Sequence, residues 1–309
     1  MKGNENRPAQ SNVRESVIHQ AVLLKEAVFW LSPSNGGIYV DGNLGLGGHT
    51  AAILEASKPS GKVIGFDWDS EALTLAKRNL SHYGERVVYV RRNFAELDEV
   101  MMELGLSKVD GVLLDLGLSS LQLDASGRGF SFQRNEPLDM RMDNRRGETA
   151  ADLLNQCSEE ELADIFYYYG EERQARRIAA HIVAERKEQN ILTTSQLVHI
   201  IEKAVPRRFH PQKIHVATRT FQGLRIAVNN ELENLEKILT DGCCYIRPGG
   251  RFCVISFHSL EDRLVKRQFK SNKTLRVLTP KPVMAGDVEK GNNPRSRSAK
   301  MRVAEVKEG

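Results

Sequence analysis

Four short apolar runs near the start of the chain, Ile38–Asp41, Lys62–Asp67, Arg86–Arg91 and Val109–Leu116, are separated by helical patterns near Thr50–Ala56, Ser70–Tyr83 and Phe94–Leu104. Strand, helix and strand in repeated alternation require right-handed crossovers and a parallel sheet covered on both faces. The expected fold is therefore α/β, a doubly wound, mostly parallel sheet. An amphipathic stretch, Leu23–Leu31, precedes the first strand.

After Leu116 the alternation stops. Gly117–Arg146 is rich in Gly, Ser, Arg and Asp, and helical patterns follow at Ser158–Tyr169, Glu171–Gln189 and Thr194–Val205. Ser158 with Glu161 forms a capping box, and Thr194 is read as a second cap. The α/β pattern resumes with a long amphipathic helix, Thr218–Tyr245, a strand Arg251–Phe257, and a helix Ser259–Lys270 with Ser259 as cap and Asp262 as its reciprocal partner. Leu275–Leu278 and Met301–Val306 read as the last strands, with Ala285–Ser298 a mobile loop between them. The expectation is one domain from residues 1–117 and 216–309, interrupted by a helical, substrate-recognising insertion at 118–215.

Of the 309 residues 40% are hydrophobic, ample for a core, yet no apolar run approaches a membrane span. Met1–Ser16 is polar, lacks an apolar signal core, and reads as a frayed tail of a cytoplasmic protein. Cys157, Cys243, Cys244 and Cys253 make no C-x-x-C pair and read as buried thiols, neither metal ligands nor disulfides.

The sharpest local signal is Tyr39-Val-Asp-Gly-Asn-Leu-Gly-Leu-Gly-Gly-His49, a strand end, a glycine turn and a helix start. Gly45, Gly47 and Gly48 permit a sharp turn and close ligand approach, and the helix N-terminus offers free N–H groups. The dinucleotide fingerprint G-x-G-x-x-G fails, because Thr50 occupies its third glycine. The pattern present, Asp-x-Asn-x-Gly-x-Gly from Asp41 to Gly47, is similar to the signature of class I (Rossmann-like) methyltransferases, whose loop wraps S-adenosylmethionine. Asp67 ends the second strand and suits the two ribose hydroxyls, since a carboxylate accepts both hydrogen bonds. Asp69 reads instead as a cap for the next helix. Phe94 lies against the adenine face or in the core. Asp115 follows a buried run at the carboxyl edge of the sheet, where a carboxylate is costly unless paired or functional.

Together these pieces resemble the bacterial 16S rRNA cytosine-N4 methyltransferase family, from about His19 to Arg302. The resemblance is carried by His19-Gln-Ala-Val-Leu-Leu24, the glycine loop, Asp115-Leu-Gly-Leu-Ser-Ser-Leu-Gln-Leu-Asp124 and Arg128-Gly-Phe-Ser-Phe132. Further words are Pro137-Leu-Asp-Met-Arg-Met-Asp143, Tyr169-Gly-Glu-Glu172, Thr220-Phe-Gln-Gly-Leu-Arg-Ile226, Ser256-Phe-His-Ser-Leu-Glu-Asp262 and Asn293-Pro-Arg-Ser-Arg-Ser298. Asn43, Leu121 and Gly223 depart from the usual Thr, Pro and Ala. The resemblance implies methyl transfer to a cytidine N4 amine in the decoding region of small-subunit rRNA, with a homodimer as the oligomeric state. It also implies cofactor contacts at Gly47, Gly48, His49, Asp67, Phe94, Asp115 and Gln122.

Cytosine N4 is a poor nucleophile, because its lone pair is delocalised into the ring, so positioning must supply much of the acceleration. Ser119, Ser120 and nearby carbonyls are candidate acceptors for the amine. His258 and Glu261 are candidates for lining the substrate mouth or taking the released proton, with Asp139 and Asp143 as alternatives. No cysteine lies in a catalytic motif, which argues against methylation at carbon 5. The net charge is only +4, but basic residues cluster at Arg263–Lys270, Arg207–Lys213 and Arg295–Arg302. These three clusters are read as a phosphate surface, with Tyr167-Tyr-Tyr169 available to stack bases.

Overall fold

The computed structural model describes residues 21–118, 122–123, 126–145 and 147–308. Its first strands are short and rich in Val, Ile and Tyr: β1 Ile38–Asp41, β2 Lys62–Phe66, β3 Val87–Val90 and β4 Val109–Asp115. Such β-branched runs suit strands covered on both faces. β5 Ile246–Ser256, β6 Leu275–Val277, β7 Val283–Met284 and β8 Lys300–Val306 complete one sheet. The order is β3-β2-β1-β4-β5-β8-β6, with β7 also paired to β8. Pairing is parallel from β3 through β5 and antiparallel wherever β8 takes part. Apolar clusters fill both faces of the sheet.

Residues between 130 and 224 form a third cluster, with Phe166, Ile178, Ile182, Leu197 and Ile201 at its centre. It is built by helices Ala150–Gln156, Glu159–Asp164, Ala175–Glu185 and Thr194–Ala204. The Ser158–Glu161 capping box is present, and Thr193, not Thr194, caps the fourth helix. Thr194 is fully buried and ties Arg134 and Glu136 through its hydroxyl, so it is unavailable for capping.

Three further sequence-based expectations give way here. The long helix is broken: Thr218–Asn229 stops and Glu231–Asp241 begins across Asn230, which adopts a left-handed φ of 48°. Asparagine tolerates that conformation because its short side chain bonds locally. The expected loop at Ala285–Ser298 is instead ordered, with helix Asp287–Asn292 and a turn at Pro294–Arg297. Glu289 accepts the Leu23 backbone N–H at 2.8 Å, and Ser296 is fully buried. Cap assignment shifts too: His258, not Ser259, precedes the helix Ser259–Ser271, and Glu261 supplies the reciprocal bond. Asp262 pairs instead with Arg302 at 2.6 Å.

The buried Asn229 side chain ties the irregular segment to the sheet-side helices. Its Oδ1 accepts from Met142 N at 2.8 Å, and its Nδ2 donates to the carbonyls of Met140 and Arg225, each at 2.8 Å. Met140 itself has a left-handed φ of 58°. Asn229→Ala is expected to leave those groups unpaired and to cost about 2 kcal/mol, read by denaturant unfolding.

Candidate active site

Asp41, Asp67 and Asp115 stand at the carboxyl ends of β1, β2 and β4, three adjacent strands. Their ends border a cleft of about 270 Å³. Open parallel sheets bind ligands at this edge because helix N-termini and loops converge there.

The carboxylates play different parts. Asp41 is fully buried, accepting from Thr50 Oγ1 at 2.7 Å and Asn43 N at 3.3 Å, so it braces the glycine loop from behind. Burial raises its pKa, against the pull of His49 and the Thr50 bond. Asp67 opens onto the cleft. It accepts Gly45 N and Asp69 N, each at 2.9 Å, and burial pushes its carboxyl up to about 7. Asp69 caps its helix by accepting Glu71 N at 3.0 Å and also holds Arg128 from the irregular segment. That settles which of the two aspartates faces the cleft.

Asp115 Oδ2 lies 3.4 Å from Nε2 of His49, in the first turn of helix Gly48–Ala56. Burial pulls the imidazole pKa down, but Asp115, with Asp41 and Glu289 behind it, outweighs this and raises it. Asp115 Oδ1 is buried and accepts no hydrogen bond among the described residues. Such an atom is costly unless a ligand completes it.

Of the sequence-derived cofactor residues, Gly45, Gly48, His49, Asp67, Phe94, Asp115 and Gln122 border the cleft. Asp41 and Gly47 do not. Gly47 is buried with φ 88°, and a Cβ there would lie 2.7 Å from Leu80 Cδ1, so its part is to shape the turn. Ser119 and Ser120 lie outside the described residues. His258 is off the cleft wall, its Nε2 3.1 Å from Glu261 Oε1. Glu261 lines the cleft and accepts Phe257 N at 2.8 Å. Burial would raise its pKa, but His258, that N–H and Arg225 together lower it. Asp139 and Asp143 are held by Arg141 and Arg145, and both have lowered pKa values.

Sequence reasoning missed part of the cleft lining. Arg225 borders the cleft, its Nε and Nη2 each 2.8 Å from a carboxylate oxygen of Glu231. The sequence signals were its place in the Thr220–Ile226 word and its position as an arginine between two core residues, Leu224 and Ile226. Glu231, His258 and Glu261 have ligand atoms within 4.8 Å of one another, a spacing that suits a cation. The Arg225 fork, however, already engages both oxygens of Glu231.

The basic clusters are partly internal. Arg302 is buried on Asp262, while Arg263 and Arg267 pair with Glu171 and Glu236 on the surface. Tyr167 and Tyr168 are exposed and meet edge to face. Cys243 and Cys253 are buried as expected, but Cys244 is exposed and Cys157 half-buried, because the former sits in a surface turn. No helix among the described residues is long and apolar enough to cross a membrane.

This sheet order, with one antiparallel strand beside β5 and a glycine loop after β1, defines a class I, S-adenosylmethionine-dependent methyltransferase. Residues 16–307 match the MraW methylase family, and the chain belongs to it. It is 59% identical over 288 residues to ribosomal RNA small subunit methyltransferase H of Desulfotalea psychrophila, covering 93% of this chain and 98% of that one. The enzymes of the same name from Geotalea uraniireducens and Geobacter sulfurreducens are 53% and 52% identical over 305 residues, each covering 93% of this chain and 98% of the relative.

Proposed function

We propose that this chain methylates the exocyclic N4 amine of a cytidine in the decoding region of 16S rRNA. Support comes from the resemblance to the cytosine-N4 family and from the names of its relatives, which specify ribosomal RNA of the small subunit. The observation that carries the site is the pair of cleft-facing carboxylates, Asp67 and Asp115, on strands either side of β1.

The cleft fits S-adenosylmethionine by its donor and acceptor set. Asp67 has lone pairs left for the ribose hydroxyls, and Phe94 offers a face to adenine. Gly45, Gly47 and Gly48 shape the turn, with His49 and Gln122 as polar partners. The unsatisfied Asp115 Oδ1 awaits a donor from the cofactor's ammonium or the substrate amine. The bound cofactor supplies an electrophilic methyl group on a sulfonium. The protein's task is to hold N4 in line with it and to accept hydrogen bonds from the amine. Carbonyls of the segment after β4, with Ser119 and Ser120, are proposed as acceptors. A strong base is unnecessary, since the amine proton becomes acidic once N4 is methylated. Residues 118–215, with the basic clusters, are proposed to hold the RNA of the small ribosomal subunit in the cytoplasm, and the enzyme is proposed to work as a homodimer.

Nucleoside mass spectrometry of small-subunit rRNA, with and without the gene, tests this reading. Loss of N4-methylated cytidine supports it, and an unchanged nucleoside profile overturns it.

A pH dependence follows from Asp67. Its folded pKa, about 7, exceeds the ordinary 3.8, so the ligand-free protein binds the extra proton and loses stability as pH rises between those values. Ribose binding needs the ionised acceptor, so cofactor affinity should fall by up to about tenfold per pH unit below that pKa and level off above it. Calorimetric titrations across this range check both the direction and the plateau.

A further inference from the structure

The break at Asn230 has a chemical product. At 100° per residue, positions 225 and 231 of one straight helix would point about 120° apart. The left-handed Asn230 turns the chain so that Arg225 and Glu231 meet in a two-bond fork. Their side chains are 18% and 10% exposed, and both border the same cleft as Asp115 and Leu116. Nothing in the cofactor assignment uses them.

The fork leaves a defined set of hydrogen-bonding groups. Nε–H and one Nη2–H go to Glu231. Nη1 donates to none of the described residues, and Nη2 keeps one further hydrogen. In a planar guanidinium those remaining Nη1–H and Nη2–H bonds are parallel. Beside them, turned outward by about 60° in the planar pair, lies the second lone pair of Glu231 Oε2. The order of groups is donor, donor, acceptor, the order in which guanine meets its pairing partner. A cytosine answers with O2, N3 and one N4–H. A uracil answers wrongly at two places, placing O4 against the carboxylate and N3–H against a guanidinium hydrogen.

We propose that the Arg225–Glu231 pair reads the Watson–Crick edge of the target cytosine, Arg225 donating to O2 and N3 and Glu231 accepting from N4. This rests on the cytidine-N4 reading above and adds its specificity device. One N4 hydrogen is held by Glu231, leaving the other for the segment after β4. Two acceptors on one amine draw its lone pair out of conjugation. Discrimination against uracil arises from the repulsive contacts as much as from the attractive ones.

The test uses the full-length enzyme and small subunits whose target position carries either cytidine or 3-deazacytidine. The analogue keeps O2 and the N4 amine but lacks the N3 acceptor. Its amine is more electron-rich, so chemistry alone would speed its methylation. The expected result is transfer about ten- to a hundredfold slower with the analogue. Arg225→Lys, which keeps charge without the fork, should slow transfer to cytidine by a similar factor yet slow the analogue little further, with cofactor affinity within about twofold of wild type. Glu231→Gln should likewise lower transfer and spare cofactor binding. Equal rates on the two substrates with wild-type enzyme overturn the proposal, and that comparison stands even where a variant fails to fold. Losses that simply multiply in the Arg225→Lys and analogue combination also overturn it, since they mark a structural role. Absence of any transfer to ordinary cytidine would instead strike the functional reading itself, and is seen in the control.

Discussion

Asp67→Ala is expected to weaken S-adenosylmethionine binding by about a hundredfold while the protein still folds. The carboxylate is the acceptor proposed for both ribose hydroxyls, and hydrogen bonds to a charged group each contribute about 1.5–3 kcal/mol. It also accepts Gly45 N at 2.9 Å, so its loss frees the turn that surrounds the ligand. The fold survives because Asp67 stands past the end of β2, at the cleft, and contributes no apolar packing. Asp67→Asn separates the effects: it keeps the shape but replaces one acceptor by a donor, and should fall between wild type and alanine. Isothermal titration decides, and an unchanged dissociation constant in the alanine variant would remove Asp67 from the ribose site.

The second large effect is on stability. Gly170 follows a wide helical turn, Ile165–Tyr169, and packs against helix Thr218–Asn229. A Cβ at Gly170 would lie 2.6 Å from the Phe166 carbonyl oxygen and closer still to that of Arg219. Both obstacles are backbone, so neither swings aside as a side chain would. Gly170→Ala should therefore cost about 3 kcal/mol, with thermal unfolding roughly 6–10 °C lower. Gly223 is the control. A Cβ there would lie 3.0 Å from the Ile165 oxygen, a tight contact relieved by a small shift. It would also remove a helix-interior glycine, worth about 1 kcal/mol. Gly223→Ala should be close to neutral, and scanning calorimetry on both variants shows whether the two glycines differ as their surroundings require.

Local chemistry made the first half of the sheet readable. Strands buried on both faces announce themselves as unbroken apolar runs, and an aspartate at the end of such a run is visible without any structure. Asp67 and Asp115 could be placed at the cleft for that reason. Asp41 looked identical in sequence, but Thr50 folds back onto it and turns it inward. The helix break at Asn230 was hidden because both flanks keep helical periodicity, and only the Asn229-Asn230 pair hinted at a stop. With the break unseen, Arg225 and Glu231 could not be recognised as partners. Ala285–Ser298 has loop composition, yet long-range bonds such as Glu289 to Leu23 order it, and composition carries no record of those. Counting basic residues likewise overstated the exposed positive surface, since Arg302 is neutralised internally by Asp262.

The place of β8 bears on how the polypeptide acquires its shape during translation. Residues 300–306 are synthesised after β5, β6 and β7, yet they lie between β5 and β6 and also pair with β7. Until they emerge from the ribosome, the nascent chain carries an open edge along β5, the kind of surface that recruits stray strands and chaperones.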